Sequence, residues 1–358
     1  MVVFVVAELL LAMAIPFVAI RGYHTLLQSR TGTFVEEATR DDPGWSALVN
    51  PTVVVGVVEV DRGQVTGVTL LVHNPETRSA GSAILVPGPL ELDGVPLGDR
   101  APEEAVAALA SAIRLGVARV EVLDNEGWVD VLGSSTYVLE SPDPVVDDTG
   151  EPLFAVGPVE VDAALAAPFL GRPAAGAVAV SVLPRRHLFW NALLADPPAT
   201  PVPLAEDLSA LSGQASPVVD LPVTELEPVP RLDPEATEAL IRDLVAFPTG
   251  AVGGDRLRVR VLDRTGEADL ERIAAALAAN GREMISIGNA VAFDGGRTQV
   301  IAPVTMAAED GPVGAELREL ARSVGTDQLI VDNEPVDEDV VTVVIGRDFD
   351  LADLATRS

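Results

Sequence analysis

The sequence predicts an α/β fold in two domains behind an apolar N-terminal helix, and three observations carry that prediction. The run TVVVGVVEVD from Thr52 to Asp61 is β-branched and continuous, which suits a strand covered on both faces. Strand-like runs alternate with segments whose apolar residues recur at helical spacing, as at Val106, Leu109 and Ile113 and at Leu270, Ile273, Ala274 and Leu277. The Gly- and Pro-bearing stretch PTGAVGGD, Pro248 to Asp255, separates the two sets. The division read from these signals is 1–21 apolar helix, 22–50 stalk, 51–248 first domain, 249–255 linker, 256–349 second domain and 350–358 tail.

At 358 residues the chain is long enough for two proper cores. It has no cysteine, so disulfides and thiolate metal sites are excluded, and its three histidines, His24, His73 and His187, do not pair at a metal-ligand spacing. The net charge of −30 argues against a nucleic-acid partner, since phosphate-backbone affinity needs a basic face. Lysine is absent, so all 24 basic residues are arginine.

Met1 to Ile20 carries one charge, Glu8, and one breaker, Pro16, before Arg21. That length just spans a bilayer core of roughly 30 Å, and a single-pass membrane anchor is the expected reading. A cleaved signal peptide and a buried helix are the other readings. No basic residue precedes the span while Arg21 and Arg30 follow it, so positive-inside logic points the body toward the cytoplasm unless a basic leader precedes Met1. The polar juncture from 22 to 50, with Glu36, Glu37, Asp41, Asp42 and the break Pro43-Gly44, reads as a stalk into the first domain.

The first domain is organised around Gly63 to Leu92. Val68 to Val72 and Ala83 to Val86 read as strands joined by the turn Asn74-Pro75-Glu76-Thr77 and stopped by Pro87-Gly88-Pro89. Ala101-Pro102-Glu103-Glu104 opens a helix that Gly116 ends. Gly116 to Ser134 passes from strand to short helix, with Trp128 as a core anchor or a substrate-stacking ring. Pro142 to Gly157 reads as loop, Pro158 to Leu170 as a short helical pattern and Leu183 to Leu194 as a helix. Pro197 to Pro203 and Val218 to Arg231 read as surface loops, and Leu232 to Phe247 as a closing helix capped by Asp233. The acidic clusters Asp147-Asp148 and Asp337-Glu338-Asp339 read as solvated faces, and Gly288-Asn289 and Gly295-Gly296 as turns.

Several of these segments resemble the LytR-CpsA-Psr (LCP) family, cell-envelope enzymes that move a glycopolymer from a polyprenyl pyrophosphate carrier onto peptidoglycan. GVARVEVLDNEGWVDVLGS (116–134) is similar to that family's strand and helix, LPRRHLFWNALL (183–194) to its R-x-x-R-Q helix and LDPEATEALIRDLVAF (232–247) to its closing helix. RLRVRVLDRTGEADLERIAAALAANG, ISIGNAVAFDGGRTQVIAP, GAELRELARSVG and DVVTVVIGRDF follow the LytR C-terminal domain in order and spacing. Asp263-Arg264 replaces that domain's Asn-Gly turn, and an insertion falls near Glu309-Asp310. The resemblance implies an LCP-like α/β/α sheet domain followed by a small α/β LytR C-terminal domain, behind an N-terminal transmembrane helix with the soluble part extracytoplasmic.

It also implies where chemistry should sit. Family members place an Arg and an Asp before the strand that corresponds to Val68 to Val72, and an Arg-Asp pair after the proline that ends the strand corresponding to Ala83 to Val86. Here those positions hold Gln64 and Thr66, then Gly88 and Pro89. Phosphoryl transfer is mostly charge neutralisation and positioning, so the expectation is a kept fold with lost catalytic residues and no metal site. By position Arg185 or Arg186, and more weakly Arg172, would inherit phosphate binding, as planar guanidinium forks suit it. The competing reading makes Arg185 and Arg186 solvated charges beside a packed Phe189-Trp190 face. The implied role is a non-catalytic envelope protein that binds wall glycopolymer, a polyprenyl-phosphate precursor or an active LCP paralogue. Two alternatives stand beside it. One is a working phosphotransferase using Arg172, Arg185 and Arg186 with magnesium on Asp61 or Asp147, the one case requiring a cofactor. The other is a cytoplasmic regulator or interaction protein.

Overall fold

The computed structural model describes residues 38–74, 81–147, 149–174, 176–212, 217–224, 229–251, 256–307 and 312–356. The expected anchor, most of the expected stalk, the turn at Pro75 to Thr77, Asp148 and the insertion near Glu309 lie outside the described residues. Among the described residues no helix is long and apolar enough to cross a membrane.

The strands in chain order are β1 (Ser46–Leu48), β2 (Val53–Asp61), β3 (Gln64–His73), β4 (Ser82–Pro87), β5 (Glu91–Leu92), β6 (Val95–Pro96), β7 (Arg119–Leu123), β8 (Tyr137–Ser141), β9 (Val145–Val146), β10 (Pro152–Phe154), β11 (Gly157–Val161), β12 (Val218–Asp220), β13 (Arg258–Asp263), β14 (Glu283–Asn289), β15 (Gln299–Pro303), β16 (Leu329–Asp332) and β17 (Val340–Ile345). The helices are α1 (Pro102–Ile113), α2 (Asn125–Leu132), α3 (Ala163–Gly171), α4 (Leu183–Ala195), α5 (Pro203–Leu211), α6 (Pro234–Leu244), α7 (Leu270–Ala279), α8 (Pro312–Ser323) and α9 (Leu351–Thr356).

The first domain is a five-stranded mixed sheet in the order β12-β4-β3-β2-β7, packed on both faces. Strand β2 explains why both faces must be covered. Its Val55 and Val57 enter one apolar cluster with α2 to α5, while Val54, Val58 and Val60 enter another with α1 and α6. The β2–β3 hairpin turns through Arg62 and Gly63, both at positive φ (56° and 77°), the backbone of a two-residue hairpin turn. Trp128 is fully buried among Phe189 and Trp190, as a core anchor is.

Five local readings differ. Pro158 to Val161 is the strand β11, paired antiparallel with β8, and helix α3 begins only after Asp162, whose carboxylate accepts from the backbone N–H of Ala164 and Leu165. The loop read from Pro142 to Gly157 carries the small pair β9–β10. Helix α5 starts at Pro203, and Val218 to Asp220 is not loop but an edge strand parallel to β4. Helix α1 stops at Ile113, because Arg114 takes the left-handed conformation (φ 53°), before Gly116 is reached.

The second domain is a six-stranded sheet, β1-β14-β13-β17-β15-β16, with α7, α8 and α9 packed against Val259, Val261, Val341 and Val343. One of its two edge strands is β1, which precedes the first domain in sequence. The stretch expected to end a stalk thus docks as a strand: Ala47 pairs with Ile287, and Asn289 Nδ2 donates to the carbonyls of Arg40 (2.7 Å) and Asp42 (2.8 Å). The chain therefore crosses between the sheets twice, and the crossings touch. Thr52 N–H donates to the Phe247 carbonyl (2.9 Å), and Phe247 N–H to Thr52 Oγ1 (3.1 Å).

Candidate functional site

The expected site residues gather at one end of the first sheet. Period-two alternation puts Glu59, Asp61, Gly67 and Thr69 on the face that α3 and α4 cover. Thr66 and Gly88, the positions where the resemblance places a carboxylate and a cation, are neighbours: Gly88 N–H donates to the Thr66 carbonyl at 3.1 Å. A Cβ on Gly88 would lie 2.6 Å from that same oxygen, so no side chain fits there without backbone movement. Gly171 closes over the Thr66 side chain in the same way, which delivers Arg172 to the site.

All three arginines are present and all three are engaged by the protein itself. Arg172 forms a two-pronged pair with Asp61, Nε to Oδ2 at 2.7 Å and Nη2 to Oδ1 at 3.1 Å. It retains 20% exposure. Arg185 is wholly buried: Nη1 donates to the Phe169 carbonyl (2.7 Å), Nη2 to the Arg172 carbonyl, and Nε stands 2.9 Å from Asp143 Oδ1. Burial lowers its pKa from the usual guanidinium value, and Asp143 opposes that shift. Its guanidinium also lies 5.5 Å from the Phe169 ring centroid.

Arg186 is the most enclosed. Nη1 donates to the Val86 carbonyl (2.7 Å), and Nη2 to Glu59 Oε1 (3.0 Å), the Val68 carbonyl (3.1 Å) and Thr69 Oγ1 (3.2 Å). Its Nε is 2.8 Å from Glu59 Oε2 but off the hydrogen-bond axis, so that contact is coulombic. Glu59 Oε1 also accepts from Thr69 Oγ1 (2.8 Å) and Trp190 Nε1 (2.9 Å). The guanidinium occupies the space a side chain at Gly67 would need, since a Cβ there would meet Arg186 Cζ at 2.5 Å. The picture of solvated helix charges does not hold for Arg185 and Arg186, which share the buried face with Phe189 and Trp190.

Sequence reading did not single out Glu59 or Asp143. Glu59 had a signal: a carboxylate at an inward position of a strand covered on both faces requires a buried cation. The arginines had one too, since Arg185 and Arg186 stand four residues before Phe189 and Trp190, on one helical face. Asp147, the alternative magnesium ligand, is a partly exposed loop residue accepting from Thr149 and Glu151. The Thr149 side-chain bond leads the interactions that hold its pKa below the usual range. Among the described residues no group of three or more His, Asp or Glu stands where it would hold a metal ion. Beneath the arginines the face is filled by rings, with Trp128 on Phe189 at 5.3 Å and Phe154 on Phe169 at 5.4 Å, both edge to face.

In the second domain, β13, α7, β14, β15, α8 and β17 follow the segment order expected of a LytR C-terminal domain. Residues 256–349 match the family model described as LytR cell envelope-related transcriptional attenuator. These residues are a LytR C-terminal domain. The chain spans 42% of the length of a curated relative, the UDP-N-acetylmuramate–L-alanine ligase of Kineococcus radiotolerans, with 31% identity over 224 residues, 60% of this chain. Solved structures similar to it include the LytR-Csp2A-Psr enzyme from Actinomyces oris, 15% identical, covering 57% of this chain and 95% of that one with a TM-score of 0.42. B. subtilis TagV is 12% identical, covering 54% of this chain and 94% of that one at 0.40. The LytR-CPS2A-psr family protein YwtF (TagT), solved with bound octaprenyl pyrophosphate lipid, is 12% identical, covering 55% and 89% at 0.40. The LytR C-terminal domain of this chain adds β1 from outside the matched residues as its edge strand.

Proposed function

We propose that the chain is a non-catalytic cell-envelope protein, an LCP-like first domain joined to the LytR C-terminal domain, that recognises an envelope component: wall glycopolymer, a polyprenyl-phosphate precursor or an LCP paralogue. One observation carries the reading. Thr66 and Gly88 are brought together where a carboxylate and a cation would act, neither bears a charge, and Gly88 has no room for one. The neighbouring cations support it, because Asp61, Asp143 and Glu59 already neutralise Arg172, Arg185 and Arg186. Anchoring through residues 1–21 with the body outside is part of the same proposal.

The test is a pair of assays on the purified full chain. One is transfer from a polyprenyl-pyrophosphate-linked glycan, and the other is retention on isolated envelope and on polyprenyl-phosphate vesicles. Retention without turnover is the expected outcome. Turnover lost on Asp61→Asn would instead establish a phosphotransferase with rearranged residues, and failure to bind any envelope fraction would sink the reading.

A further inference from the structure

The cleft between the two domains collects arginines on the side of the first sheet opposite the site above. It is floored by α1 and α6 of the first domain and α7 of the second, and encloses about 160 Å³. Arg114, Arg242 and Arg256 line it. A contiguous groove of about 530 Å³ shares Glu238 and Arg242 with it and adds Arg282 and Arg322. Five of the 24 basic residues of a chain with net charge −30 therefore converge here.

Arg256 is the residue that asks for a ligand. It is 8% exposed, and its one hydrogen bond among the described residues runs from Nε to the Arg114 carbonyl (2.6 Å). No carboxylate among the described residues lies within ion-pair distance of it. Glu283 and Glu238 act only at longer range, and Glu283 is committed to the Gly250 N–H (2.8 Å). Burial, with Arg114 adding repulsion, pushes the Arg256 pKa down to about 10. Arg282, 5% exposed, has Glu316 and Glu319 no nearer than 3.8 Å, and Arg242 has Glu238 at 3.6 Å. The contrast with the other end of the sheet is plain, where Arg172 and Arg186 have carboxylate contacts of 2.7–3.1 Å. A buried guanidinium without a direct counter-ion is costly, and its two Nη groups form the fork that matches phosphate oxygens.

We propose that this cleft is an anion site for a phosphate group, anchored by Arg256 and flanked by Arg242 and Arg282. The phosphate is either a free ion or a diester in an anionic polymer. The site does not depend on the reading of Thr66 and Gly88.

The experiment is calorimetric titration of the full chain at low ionic strength with inorganic phosphate and, separately, poly(glycerol phosphate), paired with thermal melts. The wild-type chain should bind one equivalent of phosphate or phosphate-bearing segment, melt higher with it and lose affinity as salt rises. Arg256→Gln should weaken binding at least about tenfold and abolish the ligand-induced rise in melting temperature. Because Arg256 is buried, half-exposed Arg242→Gln provides a second variant that keeps the fold, with a smaller loss of affinity in the same direction. Arg231→Gln, on an exposed side chain outside the cleft, should bind like the wild type. Tighter binding of inorganic phosphate identifies the free ion as ligand, and tighter binding of the polymer identifies the diester. No saturable binding of either probe, or equal binding by the Arg256 and Arg242 variants and the wild type, overturns the proposal.

Discussion

Arg186 of α4 and Glu59 of β2 form an ion pair at 0% and 1% side-chain exposure, closed by Thr69 and Trp190. Two charges so enclosed support each other only as a pair, and removing one strands the other. Glu59→Gln or Arg186→Met alone should cost about 3–5 kcal/mol in urea unfolding, whereas a combined Glu59→Leu, Arg186→Met chain should recover most of that loss. Additive single and double effects would mean that the pair is not coupled.

Gly67 is held open by the same guanidinium. Gly67→Ala places a Cβ 2.5 Å from Arg186 Cζ and should destabilise the fold by about 1–3 kcal/mol. In the combined Leu and Met background the flexible thioether can move aside, so the loss should shrink. An unchanged loss in that background would assign the effect to backbone pairing instead.

Tyr137 supplies a pH dependence. Its hydroxyl donates to the Asp196 carbonyl (2.7 Å), and burial, with Asp196 adding, raises its pKa from 10.0 to about 12. The fold keeps the phenolic proton after the unfolded chain has lost it, so this contribution is full below pH 10 and is lost as pH rises from 10 to about 12. Denaturant midpoints measured across that window should fall with pH, and Tyr137→Phe should flatten the fall. An equal slope in both chains would exclude Tyr137 as its source.

Asn289 fastens β1 to the LytR C-terminal domain through two carbonyls. Asn289→Ala should cost about 1–2 kcal/mol and accelerate amide exchange at Gly44, Trp45 and Val49 before the rest of the sheet responds. Uniform protection in that segment would show that strand pairing alone holds it.

The large elements were legible because each carries its own periodicity: β2 as an unbroken apolar run, α1 and α7 as single apolar stripes, α4 as a helix around Phe189 and Trp190. What escaped depends on distant partners. Val218 to Asp220 has too little apolar sequence to stand out, and becomes a strand because β4 offers a parallel edge. Pro158 to Val161 alternates as β11 should, yet it runs straight into Asp162, and the helical signal of Ala163 onward masked the change of period. The three arginines were legible as candidates, but not their counter-ions, since Glu59 and Asp61 meet them only across 127 and 111 residues of chain and Asp143 from the bend between β8 and β9.

The two crossings between the sheets have a mechanical consequence. A single linker is a swivel, but two chains lying side by side and bonded at Thr52 and Phe247 form a double seam, and the bond from Arg256 Nε to the Arg114 carbonyl ties the domains again away from it. A pull on the chain ahead of β1 would load the second sheet first, although that sheet is made mostly of residues that follow the first domain in sequence.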